Sequence, residues 1–539
     1  MLQNKILKIT ISLFTIVAAL VFTSCEKDVI DLSPVDKLDD ITAYETPERC
    51  ELSVIGAYDA IQCGLYNDSY SRGYPFGAAS IIQGEMRGED MNLTAVFYDI
   101  TYSSTYTPST ANNQYFWEAS FEAINRINTV IKGIEGAIEN NIISEEKGKS
   151  YKGELLFLRA LTYHTLLLHF AYPVNVDANN NYGLPLYLTA INTPAEIEEA
   201  LKIGRSSVTD TYAQILKDLN DAESSFSGND KNSVNGITRA SKGSVIALKT
   251  RVYLHKRDWD NVISEAKKLV PGTTAPFESA IGGYKLEASP ATPFLSFASN
   301  TESIFSVENS ADDEASVNGA MAAMMSARPS GRAIVTSSPT LYNTSFWLAD
   351  DKRRDLLYYS SAYDYYYCDK YRNVQTRDEY APIMRYAEVL LNYSEAVLRK
   401  GGNDALALEL LNAVRNRSLA TPATQAYTAS NFATKKAFLD AILWERRIEF
   451  HGEGRRWEDI QRLANDDLSP SGGIPAKIDY ARAKGKANFV VGGEVKPAWF
   501  SPSRPLIPYS DKRFLWPIPV NDLVRNPTLA AQQNAGWSN

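Results

Sequence analysis

The sequence has few of the residues that build metal clusters and redox sites. Its 539 residues include four cysteines and four histidines, too few for a metal cluster or a dense disulfide framework. Basic residues form no long run, and 55 Lys and Arg against 64 Asp and Glu give a formal net charge of −9. An acidic chain of this kind is a poor match for nucleic-acid phosphates. We therefore expect no nucleic-acid partner and no metal site.

Aromatic and apolar residues are plentiful instead. The chain has 31 tyrosines, 20 phenylalanines and 8 tryptophans, and 44% of its residues are apolar against 22% that are charged. This balance excludes an intrinsically disordered protein, because it supplies enough apolar surface for a large core.

The N-terminus has the pattern of an export signal. Lys5 and Lys8 precede an apolar run over residues 9–22, which is too short to remain as a membrane-spanning helix. The run leads into Phe22-Thr23-Ser24-Cys25, which resembles the signal of a bacterial lipoprotein. We predict a signal peptide over residues 1–24, lipidation of Cys25 and an acidic tether over residues 25–45. The alternative is an ordinary secretory signal with an incidental cysteine.

Three cysteines remain if Cys25 carries lipid, so they cannot all be paired. Cys50 and Cys63 lie thirteen residues apart on one predicted helix, which would separate them by roughly 20 Å. We therefore expect Cys50, Cys63 and Cys368 to be buried free thiols.

Helical periodicity dominates the rest of the chain, because apolar residues recur every three to four positions. We predict a mainly α fold: one domain over residues 46–539, with a helical frame at 46–270 and 380–465, a loop-rich insertion with short strands at 271–379 and an irregular C-terminal wrap at 466–539. Residues 84–110 are also expected to form loops. The predicted helices span residues 48–62, 114–138, 152–171, 206–224, 240–255, 258–270, 382–400 and 404–417.

Two consecutive helix pairs resemble tetratricopeptide-type hairpins. The first pair covers residues 240–255 and 258–270, and small residues lie where its two helices would touch. The second pair is divided by Gly401-Gly402-Asn403, and its first helix is expected to begin at Pro382, where the missing N–H costs nothing.

The last third of the chain carries a specific set of motifs. They read PIMRYAEVLL at 382–391, YSEA at 393–396, LLNAVRNR at 410–417, ILWERRIEF at 442–450, HGEGRRWED at 451–459 and LWPIP at 515–519. Together with the lipoprotein signal, the Tyr58 helix and the Asn125–Asn128 segment, this set resembles the SusD/RagB family of outer-membrane nutrient-binding lipoproteins.

The resemblance implies a function without catalysis. Members of the family are helical lids that bind an oligosaccharide, or in some branches a peptide, and present it to a SusC-like TonB-dependent transporter. It implies an outer-membrane location, with a lipid anchor and a site that faces the cell exterior. No cofactor is expected, and the resemblance does not decide whether a loop binds a structural cation.

Three glutamates at 445, 449 and 453 are spaced four apart on one predicted helix. Such neighbours lie about 5–6 Å apart, a separation also found between paired glycosidase carboxylates. Arg446, Arg447, Arg455 and Arg456 crowd the same segment and would keep the carboxylates ionised, whereas glycosidase chemistry needs one of them protonated. We therefore favour structural ion pairs over catalysis.

Histidine offers no catalytic site in this sequence. His164 and His169 are five residues apart and lie on different faces of one predicted helix, whereas zinc pairs on a helix are four apart. Both sit among Leu and Phe residues, so we expect them in the core or at the helix end.

Two tyrosine-rich stretches are the remaining functional signal. A sugar ring has an apolar face that an aromatic ring can cover and hydroxyls that Asp, Asn or Arg can bond, and Tyr and Trp lose little entropy in doing so. The alternative is that many of these rings fill space beneath loops. The candidate ligand-binding residues are Asp90, Asn92, Tyr98, Tyr102 and Tyr106 in the first stretch, and Tyr342, Trp347, Tyr363 and Tyr366 in the second.

The sequence therefore predicts a surface lipoprotein that captures a glycan for import. Two alternatives remain. A peptide-binding lid of the same family would differ only in its loops. A surface glycoside hydrolase would need a carboxylate pair on separate elements, which one sequence does not reveal.

Overall fold

The computed structural model describes residues 42–62, 73–177, 181–228, 236–313 and 315–538. The predictions for the signal peptide, for Cys25 and for Cys63 lie outside these residues, as does the tether before residue 42. Cys50 and Cys368 are buried and free, as predicted.

Helices form the frame of the protein, and the predicted mainly α fold is confirmed. All of the predicted helices are present, with ends that differ by a few residues, except that the helix predicted at 152–171 begins at Glu145. Within the described ranges, the helices of eight or more residues are α1 (Pro47–Gln62), α2 (Ala78–Arg87), α3 (Ala111–Glu139), α4 (Glu145–Phe170), α5 (Val208–Ser225), α6 (Lys242–His255), α7 (Trp259–Leu269), α8 (Tyr386–Lys400), α9 (Asp404–Asn416), α10 (Lys435–Glu449) and α11 (Arg455–Arg462).

The two predicted helix hairpins, α6–α7 and α8–α9, are present, and α7 also packs against α8. Asp258 caps α7 by accepting a hydrogen bond from a first-turn amide at 3.2 Å, and Asn403 caps α9 in the same way at 3.2 Å. Gly401 and Gly402 have φ values of +83° and +90°, a conformation that other residues rarely adopt. Local turn chemistry thus sets both hairpins.

The predicted start of α8 is wrong. Residues Ala381–Arg385 form a β-strand, and the helix begins only at Tyr386. Pro382 is opposite Ser306 in a two-stranded sheet, where a residue without an N–H can lie at an edge. The strand ends at Arg385, whose side chain is held by buried glutamates.

The expectation of a loop over residues 84–110 is wrong at its start, because Gly84 and Arg87 lie within α2. Gly84 is not a loop signal here. A Cβ at this position would lie 3.2 Å from the carbonyl oxygen of Gly454, so a glycine permits close packing between α2 and the turn before α11. Asp99–Tyr102 adds one further helical turn.

Short antiparallel strand pairs join distant parts of the chain, and several lie in the predicted insertion. In the described part of the chain the strands are β1 (Met91–Leu93), β2 (Tyr182–Pro185), β3 (Arg205–Ser207), β4 (Ser303–Val307), β5 (Val335–Ser337), β6 (Leu357–Ser360), β7 (Tyr365–Cys368), β8 (Ala381–Arg385), β9 (Gly473–Ile474) and β10 (Ile507–Pro508). Strand β1 pairs with β5, β2 with β3, β4 with β8, β6 with β7 and β9 with β10.

Helix α4 lies in the centre of the core, and its C-terminal half is buried on almost every face. His164 and His169, both in α4, are buried as predicted, and burial lowers the pKa of His164 to about 3. The ring of His169 stacks on Trp516 at a centroid distance of 4.3 Å. The C-terminal wrap is therefore anchored on the end of the central helix.

Candidate ligand-binding surface

The hairpin formed by β6 and β7 presents most of the second tyrosine-rich stretch. Tyr359 is paired with Tyr366 across the hairpin, and Tyr358 with Tyr367. Because side chains alternate between the faces of a strand, Tyr359 and Tyr366 project from one face of the hairpin. Tyr367 projects from the opposite face and is buried.

Three half-buried tyrosine rings form a continuous aromatic platform, defined here as Tyr342, Tyr359 and Tyr366. The centroid of the Tyr366 ring lies 4.8 Å from that of Tyr342 and 5.1 Å from that of Tyr359. Each ring keeps part of its area exposed. An array of this kind can cover the apolar face of a ligand while losing little side-chain entropy.

Buried aromatic side chains support the platform from behind. Phe489 lies 5.1 Å from the rings of both Tyr342 and Tyr366. Tyr365 stacks on Tyr480 at 4.8 Å. Asn343 fixes the Phe489 segment, because its side chain donates a hydrogen bond to the carbonyl of Asn488 at 2.9 Å. The platform is thus held by residues from the hairpin and from the C-terminal wrap.

Polar and charged groups surround the platform. The Tyr359 hydroxyl donates a hydrogen bond to Asp364, and this bond raises the pKa of Tyr359. Lys486 Nζ lies 5.1 Å from the centroid of the Tyr359 ring. Burial, followed by the hydrogen bond with Tyr342, raises the pKa of Tyr366 to about 12, so the hydroxyls of Tyr359 and Tyr366 are neutral at neutral pH.

The structure brings the two tyrosine-rich stretches together, with the first beneath the second. Asn92 donates a hydrogen bond to the Tyr365 hydroxyl at 2.8 Å and accepts one from Tyr102 at 3.2 Å. The single O–H of Tyr102 is shared between Asn92 and the carbonyl of Ile478, which lies at 2.7 Å. These contacts use the polar groups of the first stretch inside the protein.

Most of the predicted ligand-binding residues are buried. Tyr98, Tyr102 and Tyr106 do not lie on one helix, because the helical turn ends at Tyr102, yet all three rings are buried in the protein, where large rings bury much area. Ligand contact by the buried candidates stays a prediction, and their burial does not favour it. The buried candidates are Asp90, Asn92, Tyr98, Tyr102, Tyr106 and Trp347, whereas Tyr342 and Tyr366 are half-buried and Tyr363 is 43% exposed.

Asp90 and Trp347 have structural partners. Both carboxylate oxygens of Asp90 accept from the guanidinium of Arg447, with Nε at 3.0 and 3.1 Å. The guanidinium of Arg354 lies 4.4 Å from the centroid of the Trp347 ring. The first contact joins the residues after α2 to helix α10, and the second lies within the insertion.

Sequence reasoning omitted Tyr359, Tyr480, Lys486 and Phe489 from the candidate residues. The last three belong to the segment predicted as an irregular wrap, and no local periodicity connects that segment with a hairpin more than a hundred residues earlier. The available signal was the placement of aromatic and basic residues between 477 and 496.

The glutamates at 445, 449 and 453 form ion pairs rather than a catalytic pair. Arg353 Nη1 lies 3.0 Å from Glu449, and Arg385 lies 2.9 Å from Glu449 and 2.8 Å from Glu453. Burial alone would raise the pKa of Glu449, but the neighbouring arginines outweigh it and lower that pKa. The placement of Glu453 on the same helix is wrong, because α10 ends at Glu449 and Gly452 turns the chain with φ +77°.

No group of three or more His, Cys, Asp or Glu side chains in the described ranges is arranged to hold a metal ion. In the same part of the chain, no helix combines the length and apolar character needed to cross a membrane.

A helical frame with an aromatic surface, and with its clustered carboxylates held in ion pairs, defines a class of protein suited to binding rather than catalysis. The chain is a SusD-like protein: residues 301–537 match the SusD family model, and residues 59–254 match a model described as starch-binding, associating with the outer membrane.

Relatives and solved structures agree with this assignment. A SusD-like protein of Formosa agariphila is 23% identical over 527 residues, which cover 88% of this chain and 95% of that protein. A SusD superfamily protein from Bacteroides fragilis is 26% identical, with a TM-score of 0.72 over 90% of this chain and 99% of that one. A laminarin-binding SusD-like protein shares the fold at 19% identity, with a TM-score of 0.65 over 92% and 100% of the two chains.

Proposed function

We propose that the protein is a cell-surface lipoprotein that binds an oligosaccharide or polysaccharide and delivers it to a SusC-like TonB-dependent transporter. The observation that supports this most directly is the continuous platform of Tyr342, Tyr359 and Tyr366, bordered by charged groups. The starch-binding description of one family model and the laminarin-binding neighbour are consistent with a glycan ligand. In this proposal, lipidated Cys25 anchors the chain to the outer membrane with the platform facing outward.

Binding would proceed without a chemical step. The platform rings would cover the C–H faces of successive sugars, while tyrosine hydroxyls and Lys486 would hydrogen-bond their hydroxyls. The rings are packed on one another before a ligand arrives, so little ordering entropy would be lost on binding. No cofactor takes part in this proposal.

The test is affinity electrophoresis of the soluble chain that begins at Glu26, through gels that contain single polysaccharides. Retardation by at least one glycan is expected, and Tyr366→Ala should weaken binding at least tenfold, because it removes the central ring. Tyr182→Ala is the matched control, since Tyr182 is 42% exposed and lies outside the platform. Equal binding by the Tyr366 variant and the parent protein would contradict the assignment of the site.

The same preparation tests the two alternatives. Release of reducing sugar from a bound glycan would indicate a hydrolase. Absence of binding to every glycan, combined with binding of peptides, would indicate a peptide-binding lid. Co-purification of the lipidated chain with an outer-membrane transporter would test the proposed delivery step.

A further inference from the structure

One edge of the aromatic platform carries positive charge, although the protein is acidic as a whole. Lys486 lies at this edge, with its Nζ 5.1 Å from the centroid of the Tyr359 ring. Lys484, two residues earlier, is exposed. Within the described residues neither lysine takes part in a salt bridge, so both charges remain available to a ligand.

Nearby acidic groups do not neutralise this edge completely. Residues 477–496 contain five basic and two acidic residues, although one of the basic residues, Lys477, is buried and donates to the carbonyl of Gly88. Asp479 caps the following helical turn, accepting from the Ala481 amide at 2.9 Å, and it lies 3.9 Å from Arg482. Asp364 accepts hydrogen bonds from the Tyr359 hydroxyl and from the Lys486 amide, the latter at 3.3 Å. Both donors are neutral, so the negative charge of Asp364 remains and offsets one of the positive charges at this edge. Glu494, the other acidic residue of the segment, is exposed.

A third cation lies against the platform. The guanidinium of Arg354 is 4.5 Å from the centroid of Tyr342 and 4.4 Å from that of Trp347. It donates to the backbone carbonyls of Leu348 at 2.8 Å, Trp347 at 2.6 Å and Tyr342 at 3.1 Å. None of these acceptors carries a formal charge. The carboxylate of Asp351 also acts on Arg354 but is paired with Arg353 at 2.7 Å, so the positive charge of Arg354 is offset only in part and adds to that of the two lysines.

We propose that the ligand of this surface is an anionic glycan, one that carries carboxylate or sulfate groups. The platform rings would cover the sugar faces, and Lys484 and Lys486 would pair with the anionic substituents. A positive edge also raises the local concentration of an anionic polymer and its association rate, an advantage that a neutral glycan would not share. This inference rests on the proposed glycan-binding function and specifies its substrate class.

The experiment uses pairs of polysaccharides that share a backbone and differ in charge. Polygalacturonate is compared with its methyl ester, and dextran sulfate with dextran, by affinity electrophoresis at 20 and 300 mM NaCl. We expect the charged member of at least one pair to bind at least tenfold more tightly at low salt. Its affinity should fall at 300 mM, because ions screen exposed charges.

The double variant Lys484→Ala/Lys486→Ala should bind the charged polysaccharide about tenfold more weakly, which corresponds to about 1.4 kcal/mol of binding free energy. Its melting temperature should equal that of the parent protein. The control is Lys256→Ala/Lys267→Ala, which changes the net charge equally at solvent-accessible positions outside the platform. An equal loss of affinity in both double variants would overturn the inference, because a general charge effect would then explain the binding.

Other outcomes separate this inference from the proposed function. Binding of neutral glycans with equal or higher affinity, independent of salt, would overturn the anionic class and leave glycan binding intact. Failure of every polysaccharide, charged or neutral, to bind the parent protein would overturn both.

Discussion

A buried carboxyl group in helix α2 should make the stability of the protein depend on pH. Glu85 is 1% exposed, and its Oε1 accepts a hydrogen bond from the Gly454 amide at 2.8 Å. No hydrogen bond partner is present for its Oε2 in the described structure. Burial, followed by the charge of Asp90, raises the pKa of Glu85 from 4.5 to about 8. The group is therefore protonated in the folded protein at neutral pH and ionised in the unfolded chain.

The direction and size of the effect follow from this difference. Because the folded state binds one more proton between pH 4.5 and 8, the contribution of Glu85 to stability is complete below pH 4.5 and is lost as the pH rises to 8. Each pH unit within the window corresponds to about 1.4 kcal/mol. The loss amounts to roughly 2 kcal/mol at pH 6 and roughly 4 to 5 kcal/mol at pH 8.

Glu85→Gln removes this titration and keeps an oxygen for the Gly454 amide. Urea unfolding of the variant and the parent protein at pH 5, 6, 7 and 8 gives the difference in unfolding free energy at each pH. We expect the variant to gain about 1.4 kcal/mol relative to the parent per pH unit. An unpaired amide at the Oε2 position would add a constant offset, so the slope is the quantity to be tested.

Parallel stability curves for variant and parent between pH 5 and 8 would refute the reasoning. Glu388→Gln provides the control. Burial would raise the pKa of Glu388, but Arg251 outweighs burial and lowers it to about 2. This control should therefore lose roughly 3 to 5 kcal/mol, because Arg251 loses its charged partner, and show no slope above pH 5.

Two further stability predictions follow from the frame. Arg385→Met leaves Glu449 and Glu453 with fewer cationic partners and should lower the unfolding free energy by roughly 3 to 5 kcal/mol. The control is Lys436→Met, which removes an exposed ion pair with Asp440 and should lower the unfolding free energy by less than about 1 kcal/mol. A small effect at Arg385 would contradict the structural role of the network. Gly402 has a φ of +90°, so Gly402→Ala should lower the free energy of unfolding by about 1 to 2 kcal/mol, measured by thermal unfolding. Gly136 lies in helix α3 with open space around it, so Gly136→Ala should raise the free energy of unfolding by up to about 1 kcal/mol. Equal effects at the two glycines would show that backbone conformation does not determine the result.

The frame could be predicted from sequence because its signals are local. Helices α6, α7 and α9 are bounded by capping and turn residues within a few positions of their ends, so the hydrophobic periodicity and these end signals suffice to locate them. The start of α8 could not be located in this way. Residues 381–385 form a strand because they pair with β4, which lies more than seventy residues earlier in the chain. No pattern in the local sequence indicates that pairing.

The candidate surface was predictable in composition and not in orientation. A cluster of tyrosines indicated an aromatic site, but the four-residue spacing of Tyr98, Tyr102 and Tyr106 does not show where their rings point. Whether a ring meets solvent or the core depends on contacts such as the one from Tyr106 to the carbonyl of Arg513, more than four hundred residues away. The half-buried rings Tyr342 and Tyr366 could be separated from their buried neighbours only in three dimensions.

Under the proposed function in glycan uptake, the hydrogen bonds of Asn92 have a consequence for genetic screens. Asn92 joins the Tyr102 hydroxyl to the Tyr365 hydroxyl, and Tyr365 is next to Tyr366 in strand β7. Loss of Asn92 would release the hairpin from its support and weaken uptake, although the side chain itself is buried. A screen scored by growth alone would therefore count Asn92 and Tyr102 as ligand contacts. Measuring the abundance of each variant beside its uptake would separate residues that touch the ligand from those that hold the hairpin in place.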